Sequence, residues 1–173
     1  MQQQRENLFI SYCREDGKWL EMFRMTLSPL LRKGQFKIWD DTKITPGTKW
    51  HEEIERAVAS SKVALLLVSA RFLASDFIND IELPLLDKAR EDGLIVHWVT
   101  VSRCMHQYTD LAEYQALNDP AKPLDSFTSA KVKQEIVRIC KHIKRAMDSP
   151  AQRSEKIDGE GEEWKGGTSS PFQ

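Results

Sequence analysis

Apolar runs alternate with amphipathic segments along the chain, and this alternation predicts strands separated by helices. The most apolar run, residues 63–68, is too short to span a membrane and fits a strand buried on both faces of a parallel sheet. Three further runs predict strands at 7–11, 36–39 and 94–101. The pattern therefore predicts four strands, with a fifth at a sheet edge near Leu124 as an alternative.

Apolar residues recur at helical spacing between these runs. The spacing predicts helices over 18–33, Thr48–Ser60 and 128–148. Pro29 lies inside the first pattern and has no backbone N–H to donate, so we expect a kink or break just before it. Thr48 is the expected N-cap of the second helix.

Strands that alternate with helices in this order predict right-handed βαβ units. The expected fold class is α/β, a flavodoxin-like doubly wound parallel sheet of four to five strands with helices on both faces. We expect one domain over 7–148, between a disordered N-terminus at 1–6 and a flexible tail at 149–173. The tail holds four of the eight glycines among polar residues, so it is too polar to order itself and resembles a linker.

Composition and charge narrow the classes of partner. The 173 residues are 40% hydrophobic and 29% charged, as in a soluble globular domain, and the net charge of −1 gives no electrostatic reason to expect nucleic acid or membrane binding. The three cysteines are odd in number and widely spaced, and no signal-like apolar segment precedes the first strand. We therefore expect reduced thiols, no disulfide and a cytoplasmic location.

Several familiar catalytic motifs are missing from the chain. It has no glycine-rich dinucleotide or P-loop motif, no H-E-x-x-H and no G-x-S-x-G. The first strand ends at Ser11 and Tyr12, without the acidic cluster of a phosphorylated receiver domain. Cys104 and His106 supply only two neighbouring metal ligands, so we predict no metal site.

Glu82 is the most informative acidic residue. It follows the buried run 63–68, which ends at Ser69, and ligands of open parallel sheets bind outside the carboxyl ends of the strands. Pro84 is best tolerated in a first helical turn, so we expect a helix that starts at 80–83 or is kinked there. In the first case the helix dipole would keep Glu82 ionised. The residues alone leave open whether Glu82 is a site residue or a solvated helix residue.

Three blocks of sequence carry a family resemblance. The first is FISY at 9–12, and the second is IWD at 38–40 followed by ITPG at 44–47 and a tryptophan. The third is LVS at 67–69 followed by FLASDF at 72–77 and Glu82. In this order and spacing, the blocks make residues 7–148 resemble a Toll/interleukin receptor (TIR) domain of the bacterial kind.

The resemblance implies that the domain cleaves the nicotinamide–ribose bond of NAD⁺, its substrate, and needs no cofactor. Positive charge develops on the ribose as the bond breaks, and a carboxylate beside it stabilises that charge or attacks the carbon. Glu82 holds this catalytic position in the resemblance. Nicotinamide leaves as a neutral molecule, so a general acid is not required, and the product is ADP-ribose or a cyclic isomer.

The resemblance also assigns roles to other residues. The residues implied to bind substrate are Tyr12, Arg14, Asp40, Lys43, Trp50, Ser69, Phe77 and Ile78. The residues implied to form the assembly loop are Asp41, Ile44, Thr45, Pro46 and Gly47. Each of three assignments has a structural alternative: Trp50 as core, Asp40 as a loop cap and Arg14 as a surface charge. Two positions depart from the family pattern, because Ile78 stands where many members have tryptophan and Cys13 stands where some have arginine.

The implied partners are NAD⁺ and other TIR domains, in a homo-oligomer or filament that activates the enzyme. The resemblance further implies antiviral defence and a sensor domain that follows the tail in the full-length protein. The alternative is a non-catalytic adaptor whose loop and helix surfaces bind other TIR domains. A third hypothesis is a domain that binds a nucleotide signal without turning it over.

Overall fold

The computed structural model describes residues 4–41 and 49–150. Within them, five strands form one parallel sheet in the order β2-β1-β3-β4-β5. The strands are β1 (Asn7–Tyr12), β2 (Lys37–Trp39), β3 (Ser61–Val68), β4 (Ile95–Thr100) and β5 (Gln115–Ala116). This is the flavodoxin-like strand order, so the predicted fold class is confirmed.

Helices cover both faces of the sheet. They are α1 (Gly17–Arg32), α2 (Trp50–Ser60), α3 (Ala70–Leu73), α4 (Leu83–Glu91) and α5 (Ser129–Asp148), and a π-helical segment (Ile78–Glu82) leads into α4. Short 3-10 turns lie at Arg14–Asp16, His106–Tyr108, Asp110–Glu113 and Leu124–Ser126.

The central strand β3 explains the two-faced core. Residues 63–68 are fully buried because β1 and β4 flank the strand and helices cover each of its faces. Val63, Leu65 and Leu67 pack in one cluster with residues of α1 and α5. Ala64, Leu66 and Val68 pack in the other with residues of α2, α3 and α4. The side chains of this run thus contribute to a hydrophobic cluster on each face of the sheet.

The structure contradicts the break expected at Pro29 and the alternative edge strand near Leu124. Helix α1 continues through Pro29 to Arg32 instead of breaking before it. Pro29 is exposed, as is Met25 one turn earlier, so the carbonyl that the proline leaves unbonded lies on the solvent side of the helix. The edge strand is Gln115–Ala116, whereas Leu124 is buried in a 3-10 turn. A two-residue strand is too short to show a period-two pattern.

The ends of the chain need a further correction. Arg5 lies in the segment expected to be disordered, yet its guanidinium donates to the carbonyl oxygens of Val58 and Ser61 at 3.4 and 3.0 Å. The backbone N–H of Glu6 donates to the carbonyl of Ser60 at 3.0 Å. These bonds tie residues 5–6 to the end of α2. The expected cap Thr48 and most of the expected tail lie outside the described residues.

Candidate functional site

A cavity of about 780 Å³ opens at the carboxyl ends of β1 and β3, where ligands of such sheets bind. Its volume lies within the range of small-molecule sites, about 300–1,000 Å³. Residues from four regions of the chain line it. They are Tyr12, Cys13, Arg14 and Glu15 at and just after the end of β1; Asp41 after β2; Trp50 at the start of α2; and Arg71, Ser75, Phe77, Ile78 and Glu82 after β3.

Glu82 reaches the cavity from an unusual stretch of helix. Residues 76–91 are helical without interruption, and Ile78–Glu82 has π geometry within that stretch. The N–H of Leu83 donates to the carbonyl of Ile78, five residues back, just before Pro84, which has no N–H to give. The π turn therefore carries the chain past the proline and turns Glu82 inwards, where it is 4% exposed.

The buried environment of Glu82 corrects the expectation that the helix dipole keeps it ionised. Its backbone lies in the second turn of a continuous helical segment, away from the positive end of the dipole. Burial raises the pKa of Glu82 from 4.5 to about 7. The nearby charge of Asp41 adds to this rise, while the Ser11 hydroxyl, which donates to Glu82 Oε2, opposes it. Glu82 therefore exchanges its proton near neutral pH.

Aromatic rings form one wall of the cavity. The rings of Trp50 and Phe77 lie 5.1 Å apart between centroids, with an angle of 59° between their planes. Trp50 is 40% exposed, so it is a cavity wall and not a core residue. Ile78 is buried beside them, 2% exposed, at the position where tryptophan was the expected type. Such a wall suits the flat face of a heteroaromatic ring.

Two arginines lie at the cavity, and each is paired with a carboxylate. Arg14 Nε lies 3.4 Å from Asp41 Oδ2, and Arg71 Nη1 lies 3.4 Å from Asp16 Oδ1. Their side chains are 82% and 64% exposed, respectively, so both guanidinium groups remain open to a ligand. Guanidinium groups in this arrangement suit phosphate oxygens.

Tyr12 and Cys13 complete the wall next to β1. Burial and a hydrogen bond donated to Asp41 raise the pKa of Tyr12, so its hydroxyl stays protonated. Burial is also the main cause of the raised pKa of Cys13, whose thiol donates to Glu15 Oε2 at 2.7 Å. A thiol with a raised pKa is a poor nucleophile at neutral pH. Neither Tyr12 nor Cys13 is therefore a ready source of a reactive anion at neutral pH, and Glu82 is the most buried of the carboxyl groups that line the cavity.

The structure brings together most of the residues that the sequence assigned to the site. Glu82, Tyr12, Arg14, Trp50, Phe77 and Ile78 all line the cavity, and so does Asp41, which the sequence assigned to the assembly loop. Lys43, Ile44, Thr45, Pro46 and Gly47 lie outside the described residues.

Two assigned residues lie behind the cavity wall instead. Asp40 is fully buried and forms an ion pair with Arg24. The Ser69 hydroxyl donates to Asp16 Oδ2 and accepts from the N–H of Phe72, so it caps α3. Both side chains are occupied by protein partners, and neither lines the cavity. Their sequence positions at strand ends were correct, but tertiary partners determine where the side chains point.

The sequence did not assign to the site four residues that line the cavity, Cys13, Glu15, Arg71 and Ser75, or two residues that bond to its groups, Ser11 and Asp16. All of them follow β1 or β3 within a few residues, except Ser11, which is the penultimate residue of β1. The carboxyl-end rule could have drawn attention to Arg71 and Asp16 as charged residues just after those strands. The bond from Ser11 to Glu82 joins residues 71 positions apart, and no local pattern reveals it.

The described residues also bear on metals and membranes. In the ranges 4–41 and 49–150 there is no group of three or more His, Cys, Asp or Glu residues placed to hold a metal ion. The same part of the chain contains no helix whose length and hydrophobicity would let it cross a bilayer.

The solved structures that resemble this chain include two receptors. One is the TIR domain of the Toll-related receptor TRR-2 from Hydra magnipapillata, which matches with a TM-score of 0.55 and 18% identity over 82% of this chain and 98% of its own. At this identity the likeness shows the fold. The other is the metazoan TIR-STING receptor from C. gigas, with a TM-score of 0.49 and 16% identity over 87% of this chain and 42% of its own.

A curated relative and a family model complete the comparison. The uncharacterized protein y4lF of Sinorhizobium fredii (strain NBRC 101917 / NGR234) is 26% identical over 141 residues, which is 81% of this chain. The chain spans 43% of the length of that relative. The family model described as TIR domain matches residues 8–139, which include β2 to β5, all but the first residue of β1 and the whole cavity. The chain therefore belongs to the TIR domain family.

Proposed function

We propose that this TIR domain is an NAD⁺ glycohydrolase that breaks the bond between nicotinamide and ribose. The observation that carries the proposal is the buried Glu82 carboxyl, which lines a cavity of about 780 Å³ together with aromatic rings and two arginines. A carboxylate in such a place can stabilise positive charge that develops on a sugar. The aromatic wall and the arginines match the bases and the pyrophosphate of a dinucleotide.

The chemistry uses few protein groups. The bond from ribose C1′ to the nicotinamide nitrogen breaks, and its electron pair goes to the pyridinium ring, which becomes neutral. Positive charge passes to the ribose, where the Glu82 carboxylate stabilises it or attacks C1′. Water then adds to C1′ and loses a proton, which gives ADP-ribose. If an adenine nitrogen attacks instead of water, the product is a cyclic isomer.

The raised pKa of Glu82 is compatible with this role. With a pKa of about 7, part of the free protein carries the carboxylate at neutral pH. The substrate brings a cationic nicotinamide ring next to Glu82, and an opposite charge favours the ionised form. Binding therefore drives the proton off Glu82 and prepares the anion that the reaction needs.

The remaining cavity groups bind and orient the substrate. Arg14 and Arg71 offer two guanidinium groups to the two phosphates, and their carboxylate partners hold them in place. The rings of Trp50 and Phe77 provide a surface on which nicotinamide or adenine can stack. Ile78 contributes an apolar contact in place of a stacking tryptophan.

We further propose that the domain works as an assembly with other TIR domains. Trp50 is exposed at the cavity and directly follows the segment that contains the expected assembly loop, 41–47. A neighbouring domain that packs on this segment would enclose the substrate and exclude water. We also propose that the full-length protein carries a further domain and acts as a sensor in antiviral defence in the cytoplasm; the curated relative is longer, since this chain spans 43% of it.

Incubation with NAD⁺ tests the proposal. The purified chain, concentrated or fused to an oligomerising partner, is incubated with NAD⁺, and nicotinamide is followed by chromatography. We expect release by the unmodified chain and by Asp80→Asn, which alters an exposed carboxylate on the same π turn, and none by Glu82→Gln. If all three proteins leave NAD⁺ intact in the assembled state, the enzymatic proposal is wrong and the adaptor function takes its place.

A further inference from the structure

Asp41 is a second carboxylate in the cavity, and its two oxygens have different surroundings. Oδ2 lies 3.4 Å from Arg14 Nε, and the Tyr12 hydroxyl donates a hydrogen bond to the same carboxylate. Oδ1 is shielded from solvent and, within the part of the chain that the structure describes, accepts no hydrogen bond. The side chain as a whole is 17% exposed. Oδ2 therefore has a protein partner, whereas Oδ1 has no hydrogen-bond donor among the described residues.

An unsatisfied carboxylate oxygen is costly in a folded protein. A buried acceptor without a donor loses its hydration and gains nothing in return, and the loss is larger for charged groups. Such an atom persists where it serves a function, and Asp41 lines the same cavity as Glu82. The missing donor is thus expected from the molecule that fills the cavity.

The charge of Asp41 limits what that donor can be. A carboxylate repels phosphate oxygens, so Oδ1 does not face the pyrophosphate. A dinucleotide also offers amino groups on its two bases and hydroxyl groups on its two riboses. Asp41 lies near enough to Glu82 to raise its pKa, and Glu82 acts at C1′ of the nicotinamide ribose. The 2′- and 3′-hydroxyls of that ribose are therefore the donors that best fit Asp41.

We propose that Asp41 Oδ1 accepts a hydrogen bond from a hydroxyl of the nicotinamide-side ribose and thereby makes the site specific for an unsubstituted ribose. This inference rests on the proposed function. Arg14 contacts Oδ2 and Tyr12 bonds to the same carboxylate, so the acceptor is oriented before the substrate arrives. A ribose that carries a phosphate or lacks the hydroxyl leaves Oδ1 unpaired, and a site built for a hydroxyl rejects such an analogue.

Binding to a non-cleaving protein tests the assignment without requiring turnover. Calorimetry is carried out on concentrated Glu82→Gln protein with NAD⁺ and with analogues that lack the 2′- or the 3′-hydroxyl of the nicotinamide ribose. We expect one analogue to bind about ten- to a hundredfold more weakly than NAD⁺, as for a hydrogen bond to a charged group. When Asp41→Ala is added to the Glu82→Gln protein, the dissociation constants of that analogue and of NAD⁺ should differ by no more than about twofold.

Two further variants separate the hydrogen bond from charge and folding. Asp41→Asn keeps an amide oxygen that can accept but loses the negative charge, so it should retain a smaller discrimination of about two- to tenfold. Asp80→Ala removes an exposed carboxylate and should leave the ratio unchanged. The assignment is overturned if Asp41→Ala weakens binding of NAD⁺ and of both analogues by one common factor.

The same experiment separates this inference from the proposed function. If the Glu82→Gln protein discriminates between the ligands through Asp41 but the unmodified chain releases no nicotinamide, ribose recognition stands and glycohydrolase activity falls. If nicotinamide is released but the ratios do not depend on Asp41, the activity stands and the Asp41 assignment falls. If NAD⁺ does not bind to the concentrated protein, both are overturned.

Discussion

The substitution Glu82→Gln should stabilise the folded domain at alkaline pH. The pKa of Glu82 rises from 4.5 to about 7 on folding, so the folded state binds the proton more tightly than the unfolded state. The folded protein is therefore favoured while Glu82 is protonated and loses stability as the pH rises from about 4.5 to about 7. Since one unit of pKa corresponds to 1.36 kcal/mol, the ionised carboxylate costs about 3 kcal/mol at pH 8.

Urea unfolding of the two proteins at two pH values measures this cost. Glutamine is neutral, has nearly the same shape and can still accept the hydrogen bond from Ser11. Its advantage over glutamate should grow by about 2 kcal/mol between pH 5.5 and pH 8, because most of the Glu82 titration falls in that window. Glu21→Gln, at an exposed position of α1, is the matched control and should show no such growth.

The pH dependence of this stability difference tests whether burial raises the pKa of Glu82. An advantage of glutamine that is independent of pH would mean that Glu82 does not titrate with a raised pKa, and the reasoning from burial would be refuted. A stabilised Glu82→Gln protein that fails to cleave NAD⁺ would separate the loss of chemistry from any loss of folding. A carboxylate that costs stability where it is needed for activity is common at active sites.

Four other changes have definite expected outcomes. The rate of nicotinamide release at limiting NAD⁺ should rise with pH through about 7, as Glu82 loses its proton, and a flat profile from pH 5.5 to 8.5 would contradict this. Ser11→Ala removes a hydrogen bond that favours the ionised form of Glu82, so the rise in rate should move to higher pH by about one unit. A move to lower pH would contradict the stabilisation of the Glu82 carboxylate by Ser11. Asp16→Ala leaves the buried Ser69 hydroxyl without its acceptor, so it should lower the free energy of unfolding in urea by about 1–3 kcal/mol. An unchanged free energy of unfolding would contradict this role of Asp16. Leu66→Ala opens a cavity in the fully buried centre of β3 and should cost about 2–5 kcal/mol, whereas a loss below about 1 kcal/mol would show that the core collapses to fill it.

The sequence was sufficient to predict the sheet because its signal is local. The uninterrupted apolar run at 63–68 fits a strand covered on both faces, and the structure places it at the centre with both faces packed. The edge strand Gln115–Ala116 has no such signal, since two residues carry no period. Pro29 illustrates the opposite case, a local signal that the fold overrides. A proline inside a helical pattern predicts a break, but α1 continues to Arg32 and packs against the sheet.

The site was predictable in position but not in electrostatics. The carboxyl ends of parallel strands directed attention to Glu82, and the structure places it in a cavity there. Whether that carboxyl is ionised depends on burial and on contacts with Ser11 and Asp41, which are distant in sequence. Asp40 and Ser69 illustrate the same limit. Each follows a strand, but Asp40 forms an ion pair with Arg24 and Ser69 donates to Asp16, and only the folded structure shows these contacts.

Release of nicotinamide from NAD⁺ by the unmodified chain and by Glu82→Gln, side by side at pH 8 and under the same forced assembly, is the most direct test of the central claim. At that pH Glu82 is mostly ionised and the glutamine protein is the more stable of the two. We expect the unmodified chain to release nicotinamide and the glutamine protein to be slower by at least about a hundredfold, the scale lost when one group that stabilises the transition-state charge is removed. Equal rates in the two proteins would contradict a catalytic role for the Glu82 carboxylate.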